Sequence, residues 1–267
     1  MVRLISWNVN GIRAVHKRGD LDWLWNEDHD VVCIQETKAH VEQLPKELVP
    51  PPGWKAIYES GEKKGYSGVA TFVREGVQCD LIARGLGEER FDNEGRVLIT
   101  DMGPFILLNI YFPNGGRGGD RLQLKNDFNE RFLEIIEGFV EEGRDVVTCG
   151  DFNIAHRDID IARPEAWSHI SGFLPAERAF FDRLLDAGFV DTFRAENGDR
   201  PNAFTWWDVR VSAREINEGW RIDYFVINEN LEDFLSDAWI SSHISGSDHC
   251  PVGLELELEL GLEEASG

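Results

Sequence analysis

The sequence predicts an α/β fold in which two packed sheets are flanked by helices. About ten segments have the composition of β-strands, and a few segments with helical periodicity lie between them. No stretch of linker-like composition divides the 267 residues. The hydrophobic content of 42%, with nine tryptophans, is enough for a large core.

The strand candidates are apolar runs rich in β-branched and aromatic residues. The first, VRLISWNV at 2–9, alternates as a half-buried strand does, whereas DVVCIQE at 30–36 is more continuously apolar, as in a buried strand. The others, in chain order, are WKAIYES, SGVATFVR, RVLITDM, FILLNIYF, DVVTCGDFN, IDYFVIN, LSDAWIS and PVGLELELEL.

Three segments predict helices. DLDWLWNE at 20–27 is typical of a short helix. The segment 121–143 carries apolar residues at helical spacing and ends at Gly143, where a helix is expected to stop. The segment 175–189 is a second amphipathic pattern, with Pro175 near its start and a glycine near its end.

Composition limits the compartment and the chemistry. No stretch approaches the ~20 apolar residues that a membrane span needs, and the first residues lack the apolar core of a secretory signal. The four cysteines are widely spaced without a CxxC pair, and Cys33 and Cys149 lie inside apolar runs. This pattern is typical of reduced thiols rather than disulfides or a zinc site. We therefore predict a cytoplasmic protein with no membrane partner, and nothing in the sequence demands more than a monomer.

The net charge of −22 by itself argues against a nucleic-acid partner. A partner responds to local fields, however, and basic residues cluster at 13–18, 63–64, 117–121 and 210–221. Taken singly, each cluster is most simply ordinary surface charge. Lysine is scarce, with 7 against 20 arginines. We hypothesise that the acidic surface is an adaptation to high salt, where screening is strong and surface charge maintains solubility.

Polar side chains close or follow the strand candidates at six places. They are Asn8 with Asn10, Glu36, Asn109 with Tyr111 and Asn114, Asp151 with Asn153, Asp223, and Asp248 with His249. Strand ends of a layered fold commonly share one rim, where ligands bind. One polar ending is an ordinary turn, but six endings of similar chemistry predict a shared site.

The donors in this set are carboxylates, amides, a phenol and an imidazole, without cysteine or a second histidine at metal-ligand spacing. Hard oxygen ligands suit Mg²⁺ or Mn²⁺ rather than Zn²⁺. Glu36 is the first candidate for a metal ligand, and the alternative is a helix-capping or surface glutamate. Tyr111 is a candidate for binding a phosphate or a leaving oxygen, and the alternative is a half-buried strand aromatic.

These groups match the needs of phosphodiester hydrolysis, which are an activated water, neutralised phosphate charge and help for the leaving oxygen. In this hypothesis Asp151 accepts the proton of the water and Asn153 fixes the water's position. His249 donates a hydrogen bond to a non-bridging oxygen, with its other ring nitrogen oriented by a carboxylate. Spacing leaves open whether Asp223 or Asp248 is that carboxylate.

Nine motifs between residue 3 and about 257 occur together: ISWNVNGIRA, CIQETK, KGYSGVA, NIYFPNG, GDFNIAHRDID, GFLPAER, TWW, GWRIDYF and GSDHCP. In this order and spacing they resemble the exonuclease III family of abasic-site endonucleases. GDFN or SDH alone is shared by the wider endonuclease/exonuclease/phosphatase superfamily, whereas NIYFPNG, GFLP and GWRIDYF are narrower.

The resemblance implies a four-layer α/β sandwich with two mixed, mostly antiparallel sheets. It also implies Mg²⁺-dependent cleavage of DNA 5′ to an abasic site, leaving a 3′-hydroxyl, together with 3′→5′ exonuclease and 3′-phosphodiesterase activity. Mn²⁺ is a possible substitute, and the partner is double-stranded DNA with abasic sites or 3′ ends. We expect residues 1–258 to form a single catalytic domain, followed by an acidic tail at 259–267.

The resemblance also implies roles for the polar strand ends. The catalytic set is Tyr111, Asp151, Asn153, Asp223 and His249. The metal-binding set is Glu36, Asn8, Asp151, Asn153, Asp248 and His249. The family pairs its histidine with the aspartate of RIDY, which favours Asp223 over Asp248. Asn10 stands where some members have an aspartate that assists the metal, so a second metal site is not implied.

Further residues are implied in DNA binding. Trp206, Trp220 and Ile222 would line a pocket for the baseless sugar, and the alternative is ordinary core packing. Arg117 would insert into the duplex. The remaining candidates for substrate contact are Asn8, Asn10, Arg13, Lys17, Arg18 and Asn114.

Two other functions remain as alternatives. One is a superfamily phosphatase acting on a small phosphorylated molecule, which the GFLP and GWRIDYF motifs disfavour. The other is a catalytically silent DNA-binding protein on the same scaffold. Such a protein is expected to lack catalytic side chains, and here all the expected ones are present.

Overall fold

The computed structural model describes residues 1–116 and 118–262, which form fourteen strands and seven α-helices. The strands are β1 Val2–Asn8, β2 Val31–Gln35, β3 Trp54–Glu59, β4 Val69–Arg74, β5 Asp80–Arg84, β6 Val97–Asp101, β7 Ile106–Tyr111, β8 Val146–Asp151, β9 Phe189–Asp191, β10 Trp206–Trp207, β11 Gly219–Trp220, β12 Asp223–Asn228, β13 Leu235–Ile240 and β14 Val252–Leu256. The helices are α1 Ile12–Lys17, α2 Asp22–Asn26, α3 Glu89–Asp92, α4 Asp120–Glu141, α5 Pro164–Trp167, α6 Pro175–Asp186 and α7 Thr192–Asn197.

Twelve of these strands form two six-stranded sheets. The first has the order β13-β14-β1-β2-β4-β3, and the second has the order β5-β6-β7-β8-β12-β9. Within each sheet one pair is parallel, β1 with β2 and β7 with β8, and the other pairs are antiparallel. Strands β10 and β11 pair separately. The predicted architecture of two mixed, mostly antiparallel sheets is confirmed.

The core lies between the two sheets and on their outer faces. Leu4 and Cys33 from the first sheet pack with Leu107 and Cys149 from the second. Helices α4 and α6 cover the second sheet with phenylalanines, and α1 and α2 cover the first. The order helix, sheet, sheet, helix gives the four layers. All four cysteines are free, as expected.

Several short elements were not predicted. They are β5, β9, β10, β11, α1, α3, α5 and α7. Strand β5 lies at a sheet edge with Leu81 and Ile82 exposed, so it lacks the alternation that marks a half-buried strand. The helix predicted at 175–189 ends at Asp186, because Phe189 begins β9. The strand predicted at 251–260 ends at Leu256.

Strand register brings the polar endings to one rim. Tyr111 pairs with Asp151 across β7 and β8, and Asp151 pairs with Asp223 across β8 and β12. Three functional candidates therefore stand side by side on adjacent strands. In the other sheet Asn8 pairs with Gln35, which places Glu36 just beyond the same end. Of the described helices, none combines the length and apolarity that crossing a bilayer requires.

Candidate active site

Asn8 joins two carboxylates at the centre of the site. Its Nδ2 donates hydrogen bonds to Glu36 Oε1 at 3.0 Å and to Asp151 Oδ2 at 2.9 Å. Its Oδ1 accepts the backbone N–H of Asn10 at 3.0 Å, which fixes which end of the amide faces the acids. Asn8 therefore presents its nitrogen, not its oxygen, to the predicted metal site.

Glu36, Asp151 and His249 form a cluster in which one potential ligand atom of each lies within 4.8 Å of the others. The two carboxylates are the kind of donors that Mg²⁺ prefers, and their negative charges are brought together with limited solvent exposure. Residues from both sheets thus fit a divalent cation held chiefly by Glu36 and Asp151.

The environment of Asp151 favours a group that exchanges a proton near neutral pH. Burial raises the pKa of Asp151 to about 7; the positive charge of His249 opposes this rise, and Asp223 and Glu36 add to it. The backbone N–H of Asn153 donates to Asp151 Oδ1 at 2.8 Å. A buried carboxylate with a raised pKa is a suitable proton acceptor for a bound water.

His249 is paired with Asp223. Its Nδ1–H donates to Asp223 Oδ2 at 2.9 Å, and that oxygen also accepts the hydroxyl of Thr205 at 2.6 Å. Burial by itself lowers the pKa of His249, but the charge and hydrogen bond of Asp223, with the charges of nearby acids, raise it to about 10. The ring is therefore a hydrogen-bond donor at Nε2, which lies 3.8 Å from Asp151 Oδ2.

Asp248 occupies a different position. Its oxygens accept from Asn10 Nδ2 at 2.9 Å and from Trp206 Nε1 at 3.1 Å, and Ser247 lies close by. The carboxylate that spacing left undecided is thus Asp223 for the ring of His249. Asp248 instead holds Asn10 and Trp206 at the edge of the cavity.

Lys38 is a site residue that strand-end reasoning missed. Its ammonium group lies 2.8 Å from Glu36 Oε2 and also donates to Asn10 Oδ1. It lies within the CIQETK motif, two residues beyond the predicted ligand, so the motif carried the signal. Glu36 and Lys38 have φ of 51° and 50°, a left-handed conformation that is strained for such residues, and Asn10, with φ of 48°, is of a type that tolerates it.

Tyr111 lies against a buried arginine. The guanidinium carbon of Arg96 is 4.5 Å from the centre of the Tyr111 ring, and Arg96 Nη1 donates to the carbonyl of Tyr111 at 3.0 Å. Burial raises the pKa of Tyr111 well above its ordinary value, and the charge of Glu36 adds to this. The phenol is therefore protonated and able to donate.

Asn153 and Asn114 are adjacent. Asn114 Nδ2 donates to Asn153 Oδ1 at 2.9 Å, and Asn153 Nδ2 donates to the carbonyl of Phe112 at 3.0 Å. Asn153 has φ of 53°, which asparagine tolerates better than most residues. The two amides lie beside Asp151 at the mouth of the cavity.

A cavity of about 270 Å³ opens beside this cluster. It is lined by Glu36, Tyr111, Asn114, Gly116, Asp151, Asn153, Ile170, Ser171, Gly172, Trp206, Trp220, Ile222, Asp248 and His249. The three predicted pocket residues are among them. Sequence reasoning missed Trp167, which stacks on Trp220 with ring centres 5.4 Å apart, because its segment follows no strand.

The basic candidates lie on or next to α1. Arg13 and Lys17 are exposed, and Arg18 donates to Asp20 Oδ2 at 2.7 Å and to the carbonyl of Gly246 at 2.5 Å. The last contact places Arg18 beside the GSDHCP segment. Arg117, the predicted inserting residue, lies outside the described residues.

The arrangement can hold a divalent cation, orient a water and donate hydrogen bonds to a phosphate, which is the chemistry of a metal-dependent phosphoesterase. A model of the endonuclease/exonuclease/phosphatase family matches residues 5–249. The chain belongs to this family, within its exonuclease III branch.

Individual proteins are similar over almost the whole chain. An exodeoxyribonuclease of Bacillus subtilis (strain 168) is 41% identical over 258 residues, covering 96% of this chain and 100% of that protein. The DNA repair nuclease APEX1 of Danio rerio is 39% identical over 257 residues, covering 96% of this chain and 82% of that protein. The structure of an AP endonuclease from Archaeoglobus fulgidus aligns with a TM-score of 0.86 at 26% identity, covering 97% of this chain and 100% of that one.

Proposed function

We propose that this protein is a DNA-repair phosphodiesterase that cleaves the backbone 5′ to abasic sites and leaves a 3′-hydroxyl. The same centre would act on 3′ ends as a 3′→5′ exonuclease and 3′-phosphodiesterase. The observation that carries the proposal is the convergence of Glu36, Asp151 and His249 beside a cavity walled by tryptophans. The relatives named above are nucleases, which supports the same substrate class.

The cofactor we propose is Mg²⁺, with Mn²⁺ as a substitute. Glu36 and Asp151 would hold it, because both offer carboxylate oxygens at the cluster. When bound, the ion supplies positive charge that offsets the charge of the phosphate. Asn8 keeps the two carboxylates at a fixed separation through its paired hydrogen bonds.

Asp151 would accept the proton of the attacking water, whose oxygen forms the new bond to phosphorus. Asn153 would fix that water through its side-chain amide. The bond between phosphorus and the 3′ oxygen breaks, and the departing oxygen gains a proton. Tyr111, which lines the same cavity, could supply a hydrogen bond to that oxygen.

His249 would donate from Nε2 to a non-bridging oxygen. Asp223 fixes the ring through Nδ1, and Thr205 in turn fixes Asp223. This orienting chain requires no serine nucleophile, because the attacking group is water.

The cavity explains the choice of an abasic site. An abasic sugar has little stacking to lose on leaving the helix, and an apolar pocket excludes an intact nucleotide. Trp206, Trp220 and Ile222 supply that wall. Asn114 and the basic residues near α1, which are Arg13, Lys17 and Arg18, would contact the flanking phosphates.

We also propose that residues 1–258 act as one catalytic domain, working as a cytoplasmic monomer, and that 259–267 is an acidic tail. Residues 263–267 of that tail lie outside the described residues. These proposals follow from the composition and from the absence of a linker.

The deciding experiment is cleavage of a duplex that carries one abasic analogue, with and without a chelator and across a salt series. We expect a single cut 5′ to the lesion that is lost when the divalent cation is removed. Release of phosphate from inositol phosphates, without cutting of the duplex, would favour the small-molecule phosphatase. Stoichiometric duplex binding without turnover would favour the silent DNA-binding protein.

A further inference from the structure

A buried ion pair lies next to residues 151–154, which we call the catalytic loop. Lys125 on α4 and Glu177 on α6 are both fully buried, with their charged atoms in contact. Lys125 follows the NIYFPNG motif and Glu177 is part of GFLPAER, but the mechanism described above uses neither. A charged pair in this position costs desolvation energy, and apolar residues of similar volume are often equally stable.

Lys125 holds the backbone of Asn153. Its ammonium group donates to the Asn153 carbonyl at 2.8 Å, while the Asn153 N–H donates to Asp151 Oδ1 at 2.8 Å. The left-handed conformation of Asn153 is therefore tied at both its N–H and its carbonyl. Loss of the bond from Lys125 would leave the backbone of Asn153 held only at its N–H, which loosens the position from which its side chain faces the cavity.

Glu177 holds the neighbouring segment of the cavity wall, which is bonded to the first through the N–H of Ala155 and the carbonyl of Gly172 at 2.7 Å. Its Oε2 accepts the backbone N–H groups of Gly172 at 2.6 Å and Leu174 at 3.0 Å, and its Oε1 accepts the hydroxyl of Ser171 at 2.9 Å. Gly172 packs so closely on Trp220 that an added Cβ would lie 3.0 Å from the ring. The position of this loop thus determines where the tryptophan wall stands.

We propose that Lys125 and Glu177 are positioning residues that couple the catalytic loop 151–154 to the pocket wall 171–174. The pair sets how the groups that face the reacting phosphate stand relative to the wall that receives the sugar, because each partner ties one of two adjacent segments that line the cavity. This inference rests on the proposed function for its substrate, but the coupling itself is a property of the fold.

The test compares two variants with the wild type. Lys125→Met removes the donor to Asn153 and leaves Glu177 unpaired, whereas Lys125→Met/Glu177→Gln removes both charges. We expect kcat on the abasic-analogue duplex to fall about 10- to 100-fold in both, with KM changed less than about 3-fold. The double variant should regain most of the thermal stability lost by the single variant, without regaining kcat.

A matched control breaks an exposed pair between the same two helices. Arg183→Met/Glu130→Gln removes the contact between α6 and α4 at their surface, and its kcat should equal that of the wild type. Lys125→Arg keeps a cation and donors, and we expect it to retain more kcat than Lys125→Met. If the double variant does not fold, the comparison of kcat between Lys125→Arg and Lys125→Met tests the proposal instead.

Hydrogen exchange provides a readout that needs no substrate. Amides in 151–154 and 171–174 should exchange faster in the double variant, while those of the central strands stay unchanged. A double variant with wild-type kcat, or with unchanged exchange in both segments, would overturn the proposal. If the wild type does not cleave the abasic-analogue duplex, the proposed substrate is wrong. The proposed coupling is still tested in that case, because hydrogen exchange is measured without substrate.

Discussion

Single residues at this site act through contacts that satisfy more than one neighbour. Asn8 bonds two carboxylates, and its oxygen is held by the backbone of Asn10. Asp223 accepts from both His249 and Thr205 through one oxygen, while its Oδ1 has no hydrogen-bond partner among the described residues. Each of these side chains is therefore sensitive to conservative replacement, since an isostere that changes a donor into an acceptor breaks two contacts.

The assignments of Asp151 and His249 lead to the first prediction. Asp151→Asn removes the proton acceptor, and His249→Ala removes the donor to the phosphate. We expect each to lower kcat at least ~100-fold, which is the usual scale for such groups. Single-turnover cleavage of the abasic-analogue duplex measures the effect.

The matched control is the exposed His243, whose replacement by alanine should leave the rate unchanged. Near-normal rates in both site variants would refute the mechanism.

A second prediction concerns His29, which is 2% exposed and does not line the cavity of the candidate site. Burial lowers the pKa of His29 to about 4, and the charges of Arg3 and Arg74 add to this. The unfolded residue has a pKa of 6.5, so below that pH the unfolded state binds a proton that the folded state does not. The free energy of unfolding is therefore highest above pH 6.5 and falls as the pH is lowered toward 4. After discounting for solvent screening, the loss is on the order of 2 kcal/mol.

Urea unfolding at pH 7 and pH 5 tests this effect in the wild type and in His29→Gln. The free energy of unfolding should fall more on acidification in the wild type. Equal pH dependence in the two proteins would show that His29 does not titrate as expected.

At the scale of elements, long buried segments were predictable and short ones were not. Strands β2 and β7 are buried along their whole length, and α4 buries one face at helical spacing, so the sequence shows each as a run or a periodic pattern of apolar residues. The two-residue strands β10 and β11 are defined by their pairing with each other, which no local pattern contains. The site depends on both kinds, because β11 carries Trp220 into the cavity.

The pairing of β7 with β8 depends on a glycine, which yields a third prediction. Gly150 has φ of 138°, and a Cβ there would lie 1.8 Å from the carbonyl oxygen of Ile110. Gly150→Ala should lower the free energy of unfolding by at least about 2 kcal/mol. Chemical denaturation followed by fluorescence measures the change.

Gly138 offers the control, because it lies within α4 with open space around its Cβ position. Gly138→Ala should stabilise the protein by roughly 0.5–1 kcal/mol. If both substitutions changed the free energy of unfolding in the same direction, the steric explanation for Gly150 would be wrong.

At the scale of the whole molecule, the net charge disfavours binding of DNA, whereas the candidate site favours it. The net charge of −22 repels a polyanion, yet the cavity lining offers hydrogen-bond donors and exposed basic side chains lie on or next to α1. Screening by salt weakens both the repulsion among surface acids and the attraction of phosphate for the basic residues. The balance of these two effects determines the working salt range.

The high-salt hypothesis gives the fourth prediction. On raising NaCl from about 0.1 to 1 M, the unfolding midpoint should increase, because self-repulsion among surface acids is screened. Cleavage activity should be highest at a NaCl concentration above about 0.1 M. Thermal unfolding and initial rates across the series provide the measurement, and maximal activity at the lowest salt with unchanged stability would contradict the hypothesis.

The sequence by itself determined the layered α/β class, the long strands and helices, the reduced cysteines and the set of polar strand ends, because each of these follows from local periodicity or residue type. Motif resemblance named the family that the comparisons then confirmed. Spacing left open whether Asp223 or Asp248 orients His249, the resemblance favoured Asp223, and the tertiary structure shows that contact. Only the tertiary structure decided that Lys38 contacts Asn10 and that Lys125 supports Asn153. These contacts join segments distant in the chain or depend on strand register and on the close packing of helix on sheet, which a linear pattern of residues does not encode.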